Sequence, residues 1–132
     1  MDKRAAKLDY KLSRRPMGIF QIRNVQTDKV FVGSTPNLDA VFNRHKFQLN
    51  AGGHPSKSLQ QDWNELGEEK FAFEVLEELP ERDNPNYDYS SDLETLEDLW
   101  LEKLEPYGES GYNERKKTRE ERLRMIAAKR QQ

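Results

Sequence analysis

The sequence predicts an α+β fold, a three-stranded antiparallel sheet flanked by helices in the order β-β-α-α-β-α, with charged helical extensions at both ends. Three observations carry this expectation. Two short apolar runs, Gly18-Ile19-Phe20-Gln21-Ile22 and Val30-Phe31-Val32-Gly33, flank a polar stretch ending in Gln26-Thr27-Asp28-Lys29. Aromatic and β-branched residues bounded by turn formers read as a hairpin. Apolar residues then recur at helical spacing in two segments, give way to the alternation Phe71, Phe73, Val75, and return to helical spacing.

Taken in order, strand one is expected from about Met17 to Asn24 and strand two from about Lys29 to Ser34. Ser34-Thr35-Pro36-Asn37 is a helix-entry signal. The helix it opens, about 37–50, places Leu38, Val41, Phe42 and Leu49 within one arc, and His45 falls on the same face. A histidine there reads first as a hydrogen-bonded core residue and second as a chemical group. Gly52-Gly53-His54-Pro55 breaks the helix. Ser56 or Ser58 can cap a second helix with the stripe Leu59, Trp63, Leu66, stopped by Gly67. Strand three follows at 70–76, and a polar loop spans 80–91. The last core helix, about 91–105, carries Leu93, Leu96, Trp100, Leu101 and Leu104 on one stripe. Glu97 lies inside that arc, where a carboxylate needs a partner or a metal to offset its desolvation.

Composition narrows the function classes. The chain has 132 residues, one domain's worth, with 34% hydrophobic against 35% charged residues. With no cysteine there can be no disulfide, thiolate zinc site or cysteine nucleophile. Two histidines, His45 and His54, are too few for a histidine-built metal site. A metal would be a hard cation held by carboxylate and water. No apolar run approaches the roughly 20 residues that span a bilayer, and a soluble cytoplasmic protein with no membrane partner is the expectation. The net charge of −2 conceals a strong asymmetry: +4 over residues 1–15, +3 over 16–60, −14 over 61–113 and +5 over 114–132. Basic ends of this kind suit nucleic acid or an acidic protein surface. The expected organisation is a basic N-terminal extension (1–15), a folded domain (16–113) and a basic C-terminal helix or tail (114–132).

The chain resembles the GIY-YIG nucleases. The resemblance rests on Gly18-Ile19-Phe20, Phe31-Val32-Gly33-Ser34, Arg44-His45, Leu59-Gln60-Gln61-Asp62-Trp63, Phe73-Glu74-Val75-Leu76, Glu97 before Trp100, and Gly111-Tyr112-Asn113, all in the family's order. It implies the GIY-YIG-like fold and a site for phosphodiester cleavage. In active relatives that site uses two signature tyrosines, an arginine on the first helix, a nearby histidine or tyrosine, and a glutamate holding one Mg2+ or Mn2+ ion. Carried over by position, the tyrosines are Phe20 and Phe31, the arginine is Val41, the histidine is His45, the metal glutamate is Glu97 and the late asparagine is Asn113. Three chemical groups are therefore missing, and Arg44 is the one nearby cation that could stand in for the arginine.

The reading this favours is a nucleic-acid-binding domain, for DNA, with impaired or lost cleavage. The alternatives are an active metal-dependent endonuclease with a rearranged centre of His45, Arg44 and Glu97, and a protein-interaction module without nucleic acid.

Overall fold

The computed structural model describes residues 16–84, 86–114 and 119–130. The N-terminal extension and the start of the C-terminal one lie outside the described residues. The expected architecture is the one observed. Strands β1 (Gly18–Asn24), β2 (Val30–Thr35) and β3 (Phe71–Glu78) form one antiparallel sheet in the order β2-β1-β3. Helices α1 (Leu38–Ala51), α2 (Lys57–Leu66) and α3 (Ser90–Leu104) flank it, and α4 (Arg119–Arg130) follows. No helix among the described residues is long and apolar enough to cross a membrane.

Local chemistry sets the helix ends. The Asn37 side chain accepts the Ala40 N–H at 3.2 Å and starts α1. Gly52, at φ 81°, ends it in the left-handed conformation that glycine adopts without steric cost. Ser56, of the two serines available, caps α2.

Strand alternation divides the core between the two faces of the sheet. Phe20 and Ile22 pack with Leu38, Val41, Leu49, Leu59, Trp63 and Tyr112 on the side of α1 and α2. Ile19, Val30 and Val32 pack with Leu101 of α3 on the other. The third strand departs from simple alternation. A bulge shifts the register between Ile19 and Phe20, so that Phe20 pairs with Val75 and Ile19 with Glu77. Leu76 joins the Ile19 side, and Val75 is left exposed.

The hairpin register explains one signature glycine. Phe20 pairs across the strands with Gly33, and a Cβ at Gly33 would lie 2.8 Å from the para carbon of the phenyl ring. The Phe20 ring has little room to yield, because Phe31, Phe42 and His45 surround it at centroid distances of 6.4, 6.0 and 5.1 Å. Gly33→Ala is expected to cost about 1–3 kcal/mol by overpacking, measured as a lower urea midpoint. An unchanged midpoint would mean that the ring can swing aside.

Candidate active site around strand β2

Strands β1 and β2 and the first half of α1 bring together the aromatic half of the site. Phe20 is 2% exposed and Phe31 is half-buried. Both rings lie against His45, with centroids 5.1 and 5.6 Å away, and Phe31 also meets the edge of His54 at 5.3 Å. Neither phenyl ring offers a proton or a lone pair. Val41, four residues before His45 on the same helix face, is fully buried in this cluster. Arg44 is exposed on the flank of α1, and among the described residues it has no ion pair.

His54 is the partner that sequence reasoning missed. Its Nε2 lies 2.8 Å from His45 Nδ1. The backbone N–H of Ser56 donates to His54 Nδ1 at 3.0 Å, so that nitrogen carries no proton. A neutral His54 therefore carries its proton on Nε2 and donates it to His45 Nδ1. His45, in turn, must carry its own proton on Nε2. Both rings stay neutral near pH 7. Burial first, then His54 and the Arg44 charge, push His45 down to about 4, and burial lowers His54. No buried side-chain polar atom among the described residues lacks a partner, and His45 Nε2 has none there, so this N–H is open to solvent. It is a neutral hydrogen-bond donor and not a proton acceptor.

Glu97 and Asn113 meet the other face and the outer edge of β2. Ser34 Oγ–H donates to Glu97 Oε2 at 2.5 Å. This pairing answers the desolvation problem of a carboxylate on the α3 stripe, where Glu97 is half-buried. Ser34 alternates with Gly33, so Glu97 approaches β2 from the face opposite Phe20 and His45. Asn113 acts as a surrogate strand. Its Oδ1 accepts the Val32 N–H and its Nδ2 donates to the Val32 carbonyl, each at 2.8 Å. Tyr112 anchors the same segment: its buried hydroxyl donates to Asp62 at 2.7 Å and accepts from Asn24 at 3.1 Å. Burial and then the Asp62 bond push this phenol up to about 12, so it stays protonated and supplies no base.

A cavity of about 550 Å3 opens beside Phe31, lined by Ser56, Lys57, Ser58, Tyr112 and Asn113 among others. The structure thus joins Phe20, Phe31, Val41 and His45 directly, with Arg44 acting on His45 through its charge. Glu97 and Asn113 attach to the same strand by separate contacts.

These features, a sheet with aromatic pairs across its hairpin and a glutamate hydrogen-bonded to β2, agree with the comparison to known proteins. The model of the GIY-YIG catalytic domain matches residues 16–113. The chain belongs to the GIY-YIG family. It is 35% identical over 88 residues to Intron-associated endonuclease 1 of Enterobacteria phage T4, a match covering 66% of this chain and 32% of that protein. It therefore spans about a third of the length of that relative. The catalytic domain of homing endonuclease I-TevI superposes with a TM-score of 0.64 at 31% identity, covering 76% of this chain and 99% of that domain. A mutant of the same domain gives a TM-score of 0.64 at 32% identity, over 78% and 97%.

The metal expected from the GIY-YIG resemblance can be tested against the donors present. Among the described residues no three His, Asp, Glu or Cys side chains gather into a cation cage. One carboxylate with a hydroxyl beside it, completed by water and substrate phosphate, nevertheless suits a hydrated Mg2+ or Mn2+ ion. Glu97 is the residue that would hold it.

Proposed function

We propose that this domain engages nucleic acid and that its metal-dependent phosphodiester cleavage persists in impaired form at a rearranged centre of His45, Arg44 and Glu97. The observation that supports this reading is the relay from Ser56 through His54, which leaves His45 as a neutral Nε2–H donor against two phenyl rings. A fixed N–H and a nearby guanidinium bind phosphate oxygens and favour charge developing on them. A phosphate lying over the rim of β2 would meet them from one face of the strand and Glu97 from the other. A divalent ion held at Glu97 would polarise the phosphate and lower the pKa of a bound water. The basic ends, +4 and +5, supply phosphate contacts along the strand.

The impairment follows from what is missing. Phe20 and Phe31 remove hydroxyls from proton transfer, worth about 10²–10⁴ in rate. Val41 in place of a cation removes about 10²–10³ of transition-state stabilisation. These factors do not multiply cleanly. A second reading, binding retained with cleavage lost entirely, is favoured by the complete burial of Val41, which leaves its position inside the apolar core.

A panel of gel shifts and plasmid nicking in manganese separates the readings. Duplex and single-stranded DNA should both bind, with affinity falling steeply as salt rises, and supercoiled plasmid should be nicked slowly. Glu97→Ala should abolish nicking and leave binding in place. Binding without any nicking would establish the second reading, whereas no binding at any salt would make the domain a protein-interaction module.

A further inference from the structure

The outward face of α1 carries a side chain that neither the fold nor the site above uses. Phe47 is 74% exposed, more than any other large hydrophobic residue among those described. It stands opposite the face that buries Leu38, Val41, His45 and Leu49. Arg44 and Asn43 lie three and four residues before it, and Asn50 and Ala51 three and four residues after, the positions that neighbour it on the helix surface. Ala40 and Ala51, both exposed, are too small to cover the ring. Lys46 turns the other way, paired to Glu68 at 3.6 Å and placed over the Phe73 ring. Among the described residues of α1 the cation on the Phe47 side is therefore Arg44, whose charge also reaches His45. The face thus runs from a phenyl ring that has no partner among the described residues, through a guanidinium, to the edge of the candidate site.

From this juxtaposition we propose that Phe47 and Arg44 form a contact for single-stranded nucleic acid, with Phe47 stacked on an unpaired base and Arg44 on the adjoining phosphate. The proposal rests on the nucleic-acid reading above and extends it to the kind of strand and the residues that meet it. Charge selects an anionic occupant: residues 16–60, which contain this face, carry +3, while residues 61–113 carry −14. The ring selects a single strand, because bases in a duplex are already stacked and unpaired bases stack on aromatic side chains without regard to sequence. A helix holds the ring at fixed height and direction, so little ordering is needed on binding.

The test is fluorescence anisotropy of a labelled short oligothymidylate and of a duplex of the same length, at low salt, with wild type, Phe47→Ala and Phe47→Trp. Phe47 is exposed, so both variants should fold as the wild type does, and circular dichroism verifies this. Phe47→Ala should weaken single-strand binding by roughly 5- to 150-fold and leave duplex binding unchanged, and Phe47→Trp should restore it. Wild-type affinity for the single strand in Phe47→Ala would overturn the stacking contact while leaving the nucleic-acid reading intact. Equal weakening on both DNA forms would also overturn it. Self-association of the wild type that Phe47→Ala abolishes, with DNA binding unchanged, would assign the face to a second copy of the chain instead. Absence of wild-type binding to either DNA form would overturn the nucleic-acid reading itself.

Discussion

Phe20→Tyr combined with Phe31→Tyr is expected to raise manganese-dependent nicking by about 10²–10⁴. Each hydroxyl would return a proton-transfer group next to His45, which already sits 5.1 and 5.6 Å from the two ring centres. Phe31 is half-buried, so its para position can take a hydroxyl without entering the core. Phe20 is more confined, because its ring already fills the space beside Gly33, so its hydroxyl is the harder of the two to seat and an intact fold in the double variant is checked by circular dichroism. Recovery should remain incomplete because Val41 still supplies no cation, a deficit of about 10²–10³. A double variant no faster than wild type, with its fold intact, would mean that the hydroxyls are not what limits the reaction.

Acid should unfold this domain through its imidazole pair. His45 is 9% exposed and its pKa falls from 6.5 to about 4 in the folded chain. Between those values the unfolded chain binds a proton that the folded chain refuses. The stability that neutral His45 represents is thus complete above about pH 6.5 and is lost as pH falls toward about 4. Partial solvation of the rings screens this, and the loss is on the order of 1–3 kcal/mol, still a sizeable part of the stability of a domain this size. His54, its pKa lowered by burial, adds in the same direction. Urea unfolding at stepped pH should show the wild type losing stability across this window, with a shallower loss in His45→Gln. Parallel profiles for the two proteins would contradict neutral burial of the pair.

Much of the fold was legible because its signals are local. Asn37, Gly52, Ser56 and Gly67 mark helix ends through their own backbone and side-chain preferences. The hairpin follows from β-branched and aromatic residues on either side of a polar turn. His45 was legible as a residue on an apolar face, and the hydrogen bond expected of such a histidine is present. Its partner was not, because His54 lies in the Gly-Gly-His-Pro loop, where no periodicity assigns a direction. The left-handed turn at Gly52 brings it back beside α1. Its position as the second of two histidines, just beyond the helix that carries the first, was the available signal. The Ser34–Glu97 bond joins residues 63 positions apart, and no spacing rule reaches that far. The bulge in β3 likewise depends on the pairing between strands and is invisible in the alternation of one strand.

On the proposed reading His45 contributes a neutral hydrogen-bond donor, and cleavage is slow because neither Phe20 nor Phe31 can move a proton. Single-turnover nicking of supercoiled plasmid in manganese by wild type, His45→Gln and His45→Phe tests this most directly. Glutamine can donate an amide N–H but cannot take up a proton in this range. Slow nicking is expected of the wild type, with a rate within about tenfold of it for His45→Gln and a loss of about 10²–10³ for His45→Phe. A His45→Gln variant as inactive as His45→Phe would make His45 a proton acceptor in the reaction and not a neutral donor.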